Sequence, residues 1–99
     1  MNMQQMMAQA QKMQRELRKA QAELAAKEFK VAKGGAVTVT VLGNKEIKAI
    51  EIDNDAFDSE NKEMIQDMIA LAINEAMAKI DEESEAINER ITGQPGGFG

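Results

Sequence analysis

Apolar residues recur along this 99-residue chain with two different periods. Met3, Met6, Ala10, Met13, Leu17, Ala20 and Leu24 are separated by three and four residues in strict alternation. That is an a/d heptad held over about three repeats, which predicts a helix with a narrow apolar seam. Neither Gly nor Pro interrupts residues 2–27, and Gln, Ala, Lys, Arg and Glu all favour helix. At about 1.5 Å per residue, such a helix is a rod of roughly 38 Å. A small hairpin cannot cover it, so its seam must meet another helix.

The period then changes to two. Val37, Val39 and Val41 alternate with Thr38 and Thr40, and Ile50 and Ile52 alternate with Ala49 and Glu51. β-Branched residues suit a pleated surface. Gly43-Asn44 between the two runs predicts a tight hairpin whose residues tolerate positive φ. Phe29-Lys30-Val31 alternates as a short first strand, and Lys33-Gly34-Gly35 reads as a turn. The expectation is a three-stranded antiparallel meander over about 29–32, 36–42 and 46–52. Either its valine face or the face carrying the threonines and Leu42 could be the buried one.

Helical spacing returns near Asp58 or Ser59. Met64, Ile65, Met68, Ile69, Ala72, Ile73, Ala76, Met77 and Ile80 form a wide apolar face, suited to packing on the sheet. The stripe narrows to Ile80, Ser84, Ile87 and Ile91, so a bend or split is expected near residues 81–84. Thr92-Gly93 ends the helix. The pattern predicts an α+β fold: a long N-terminal helix, a three-stranded meander and a long C-terminal helix. It comprises one domain over residues 1–92, with residues 93–99 as a flexible tail. The unpartnered seam and the small sheet predict an obligate homodimer.

Composition removes many functions. The chain has no Cys, His, Trp or Tyr. Disulfides, thiolate metal sites and the usual general base near neutral pH are therefore excluded. Ser59 and Ser84 have no activating partner, and Glu82-Glu83 reads as a solvated helix face. Gly34-Gly35 lacks the Lys-Ser/Thr and the helix of a phosphate loop. Asp53-Asn54-Asp55 fails the calcium-loop pattern, because the sixth position is Asp58 and the twelfth Met64. These groups read instead as helix caps. An enzyme, a cofactor, a metal and a small-molecule substrate are not expected. No run of about 18 apolar residues suggests a membrane span.

Charge is unevenly placed. The formal net charge is −5, yet residues 1–33 carry +4 and residues 53–99 carry −9. With Met3 at position a, Lys12 and Lys19 fall at c, Arg15 at f and Arg18 at b, while Glu16 and Glu23 fall at g. The rod thus has one apolar edge and one basic outer face. Positions b, c and f are polar in any such helix, so that face reads either as an ordinary solvated side or as a ligand-binding one. Lys27, Lys30 and Lys33 add cations beside the sheet.

Several stretches, taken in order, carry a resemblance. They are residues 6–13 (Met-Met-Ala-Gln-Ala-Gln-Lys-Met), residues 35–41 before Gly43, Ile50-Glu51-Ile52-Asp53, residues 62–69 (Lys-Glu-Met-Ile-Gln-Asp-Met-Ile), and Ala72-Ile73-Asn74-Glu75-Ala76. Thr92-Gly93 with Pro95-Gly96 closes the set. Over nearly its whole length the chain resembles the YbaB/EbfC family of small bacterial nucleoid-associated proteins. The resemblance implies an intertwined homodimer built through the β region, with helices projecting like the arms of tweezers. It also implies double-stranded DNA as partner, bound with little sequence specificity on the nucleoid in the cytoplasm, with effects on gene expression or nucleoid organisation. Lys12, Arg15, Arg18 and Lys19 are then the expected main DNA-binding face, with Lys27, Lys30 and Lys33 as further contacts.

Two features depart from the family pattern: the tail is short, and the chain is acidic overall. DNA affinity comes chiefly from cations that neutralise phosphates, so an acidic protomer must gather its cations on one face. A different reading is a prefoldin-like chaperone or protein–protein adaptor, since helix, hairpin and helix is also that order. Its Met-rich end would suit adaptable client contacts. The basic outer face separates the two, because only a DNA binder needs it.

Overall fold

The computed structural model describes residues 2–93. The predicted tail lies outside these residues except for Gly93. The elements are helix α1 (Met3–Ala26), strands β1 (Glu28–Lys33), β2 (Val37–Leu42) and β3 (Ile47–Ile52), a single 3-10 turn (Ser59–Asn61), and helix α2 (Lys62–Thr92). The strands form an antiparallel meander with β2 in the centre.

The turn joining β1 to β2 has Gly34 and Gly35 both at positive φ, 58° and 65°, and is closed by the Ala36 N–H donating to the Lys33 carbonyl at 3.0 Å. Two successive positive φ angles match the right-handed twist of a hairpin and favour glycine. The second turn works differently. Gly43 and Asn44 are not left-handed; Lys45 is, with φ 73°. Asn44 instead accepts a hydrogen bond from the Glu46 N–H at 2.8 Å through its side chain.

Gly43 is required for another reason. Its N–H donates to the Lys27 carbonyl at 2.9 Å, and the Asn44 N–H donates to the Ala25 carbonyl at 3.1 Å. The turn thereby satisfies carbonyls at the end of α1 that have no partner within the helix. A Cβ on Gly43 would lie 1.7 Å from the Leu24 carbonyl oxygen. That approach involves backbone on both sides, so nothing flexible can yield. Gly43→Ala should cost on the order of 3–5 kcal/mol. Thermal melting followed by circular dichroism checks this: a midpoint within a few degrees of wild type would show that the junction can open.

The buried sheet face is the valine face. Val37, Val39 and Val41 are at most 1% exposed, beside Phe29 and Val31 of β1. α2 lies across β1 and β2 and buries Ile65, Ala72, Ala76 and Ile80 against them. Ala72 and Ala76, with no side chain beyond Cβ, let the helix approach closely. The threonine side is the polar side of the sheet and carries Lys30 and the Glu28–Lys48 ion pair at 3.0 Å.

α2 is one continuous helix of 31 residues and is not split at residues 81–84. The narrowing of its apolar stripe marks a change of partner. Up to Ile80 the helix faces the sheet; beyond it, Ile87 faces Ala20 and Leu24 of α1, and Ser84 donates to the Gln21 side chain at 3.5 Å. The α1 seam therefore finds its helix within the same chain, but only over its C-terminal half. The N-terminal half runs on alone. The molecule measures 69 × 25 × 15 Å, with a radius of gyration of 19.0 Å. A compact chain of this length would have about 13 Å.

Candidate nucleic-acid interface

At 3.6 residues per turn, Lys12, Arg15, Arg18 and Lys19 fall on the side of α1 opposite Met13, Leu17, Ala20 and Leu24. Since the latter face α2, the cations point away from the protein body, and all are exposed. They cover about 10 Å of helix axis. Among the described residues Lys12 meets only Glu16, one turn on at 4.0 Å, and both are well exposed. Such a pair contributes at most about 0.5 kcal/mol. Arg15, Arg18 and Lys19 make no ion pair among the described residues. Arg90 of α2 joins this edge, sharing a shallow groove with Glu16, Lys19 and Glu23. It is not an obvious candidate in the sequence, because it stands in a strongly acidic segment and only the packing of α2 on α1 brings it there.

The sheet lysines are arranged otherwise. Lys27 meets Glu83 at 2.6 Å and stands over the Phe29 ring, 5.1 Å from its centroid. Lys33 meets Glu75 at 2.6 Å, and Lys45 meets Asp81 at 2.9 Å. Each of these bonds ties the sheet or its turns to α2, so part of the acidic charge of α2 neutralises cations of its own chain. Lys30 lies opposite Thr40 and Lys33 opposite Val37, which puts them on opposite faces of the sheet. Lys27, Lys30 and Lys33 therefore do not form one patch. The acidic loop does not cap α2, whose N-cap Asn61 makes no side-chain cap bond: Asp58 caps the 3-10 turn, accepting from the Glu60 N–H at 2.9 Å, and Asp53 closes a turn within the loop by accepting from the Asp55 N–H at 3.1 Å.

The hydrogen bond from Lys33 holds the Glu75 carboxyl below the ordinary glutamate range, and Lys79 adds to this from 3.7 Å. A carboxyl whose folded pKa is depressed stabilises the fold above its unfolded pKa, and that stability is lost as pH falls through the folded value. Glu75→Gln should therefore lower stability near neutral pH and flatten its decline in mild acid. Melting temperatures between pH 3 and 7 check this; parallel curves for the two proteins would show that Glu75 plays no part in the acid limb.

A small sheet backed by a helix, with a basic-edged helical arm, defines a slender α+β chain with an exposed arm. The chain belongs to the YbaB/EbfC DNA-binding family, whose model matches residues 1–95. A nucleoid-associated protein of Clostridium novyi is 46% identical over 102 residues, covering 99% of this chain and 90% of that protein. One from Enterococcus faecalis is 44% identical, covering 96% of this chain and 93% of its own length. An uncharacterized protein from Helicobacter pylori, solved by crystallography, shares the fold with a TM-score of 0.75 at 21% identity. That match covers 94% of this chain and 99% of the other.

Proposed function

We propose that the chain binds duplex DNA as a homodimer on the nucleoid in the cytoplasm, through the outer faces of its α1 arms and with little sequence preference. The observation that carries this reading is the division of the cations. Those of the sheet and its turns are largely paired with α2 carboxylates, whereas Arg15, Arg18 and Lys19 are exposed on a rod with no such partner. Cations placed so can neutralise phosphates, which positions a protein on DNA without reading its sequence. Coating or joining duplexes in this way would act on gene expression or nucleoid organisation.

Support for the dimer comes from β3. A bulge between Thr40 and Val41 shifts the register, so that Ile47 joins Ile50 and Ile52 on the valine face. α2 covers β1 and β2 but leaves this edge open: Ile47 is 43% and Ile50 45% exposed. Phe57, 74% exposed, borders an apolar groove with Ile52, Ile65 and Ile69. A second copy laid against this strip would cover it and leave both arms free.

Titration of two unrelated duplexes at several salt concentrations tests the DNA reading. Similar affinities that fall steeply with salt are expected. Absence of binding at low salt would remove it and favour the adaptor.

A further inference from the structure

We propose that the free end of α1 pairs antiparallel with the same segment of a second copy, so that arms of neighbouring DNA-bound dimers hold one another. This rests on the DNA-binding reading above and adds an interaction surface to it. α2 ends at Thr92, where Ala10, Met13, Gln14, Leu17 and Thr92 frame a small apolar groove. Beyond it the seam continues in the same heptad phase, and none of the described residues covers it: Met3 is 76% exposed and Met6 57%, as is Met7 beside the seam.

Three observations point to a second copy as the occupant. First, residues 2–11 carry no charged side chain, although 29% of the chain is charged. Pairing about a two-fold axis sets residue i against residue j and j against i, with only the central residues facing their own copies, and an uncharged segment meets its copy without repulsion at any of these contacts. A partner recognised by opposite charge would find nothing there to match. Second, the same seam already packs on a helix further along, at Met13, Leu17, Ala20 and Leu24, so its geometry suits helix pairing. Third, the exposed end is a finished helix. The Asn2 side chain accepts from the Gln5 N–H at 2.8 Å, and the Gln5 side chain accepts from the Asn2 N–H at 3.3 Å. This capping box holds the first turn in place for a partner.

The overlap is short. Ten residues from each copy bury less than the roughly 1,000 Å² expected of a stable interface. Pairing therefore operates where arms are already concentrated, as they are when dimers lie side by side on one duplex or on two adjacent ones.

The chain contains no Cys, so single cysteines report the contact cleanly. Met6→Cys lies near the centre of an antiparallel overlap and should form disulfides readily under mild oxidation. Met3→Cys, at the end of the overlap, and Ala8→Cys, on the opposite side of the helix, should not. Mixing Met3→Cys with Ala10→Cys should restore cross-linking. A duplex long enough for many dimers should raise the Met6→Cys yield about fivefold over a duplex that holds one. Because each dimer carries two arms, the oxidised Met6→Cys species should have twice the mass of the dimer or a higher multiple of it. Equal yields at positions 3, 6 and 8, no cross-link at any of them, or a cross-link that leaves the dimer mass unchanged would each overturn the pairing. The comparison of positions 3, 6 and 8 is also made without DNA at high protein concentration. If the wild-type protein failed to bind DNA, that comparison would still decide whether the arms pair.

Discussion

Val39→Asp should abolish folding and dimerisation together, whereas Ile50→Asp should remove the dimer and leave the helices formed. The two residues face each other across β2 and β3 and lie on the same side of the sheet. They differ in cover. Val39 is 0% exposed beneath α2; Ile50 is 45% exposed at the uncovered edge. A carboxylate at position 39 has neither water nor a cation to receive it, which costs several kcal/mol. A domain of this size has only about 5–15 kcal/mol of net stability. At position 50 the carboxylate stays in water in the isolated protomer and is buried only if a second copy docks there. Analytical ultracentrifugation and circular dichroism at micromolar concentration separate the outcomes. A dimeric Ile50→Asp protein would move the interface off β3. A folded Val39→Asp protein would contradict the placement of α2.

The second large effect is on DNA. If about six phosphates are neutralised by a dimer, affinity should fall roughly a thousand-fold when salt rises fourfold. Arg15 and Arg18 make no ion pair among the described residues, so replacing both by Gln breaks nothing inside the fold. The double variant should bind every duplex more weakly, by about tenfold or more at 0.1 M salt, with a visibly flatter salt slope. Helix content and dimer mass should not change. Binding of wild type and variant to two unrelated duplexes across a salt series measures this. Unchanged affinity would move the contact surface off the arm, to Lys30 and Lys48 on the polar face of the sheet. Weakening on one duplex alone would show that the arginines read bases.

What the sequence determined by itself was local. The heptad of α1, the valine–threonine alternation of β2 and the wide apolar face of α2 state their own periods, because side-chain direction repeats every 3.6 or 2 residues whatever the chain packs against. The meander, the Gly34-Gly35 turn and the outward placement of Lys12, Arg15, Arg18 and Lys19 all follow from those periods. Tertiary structure decided everything that depends on which surfaces meet. The valine side is buried because α2 crosses it, and Ile47 joins that side only through a bulge. Gly43 is needed for the approach of α1, although its place between two strands suggests a turn residue. α2 stays whole where its pattern narrows, because a second helix takes over from the sheet. The sum of charges could not show which cations are neutralised: Glu75, Asp81 and Glu83 are distant in sequence from Lys33, Lys45 and Lys27, and only folding brings them within 3 Å. Coulomb attraction depends on distance in space, and local periodicity carries no information about distances between segments far apart in the chain.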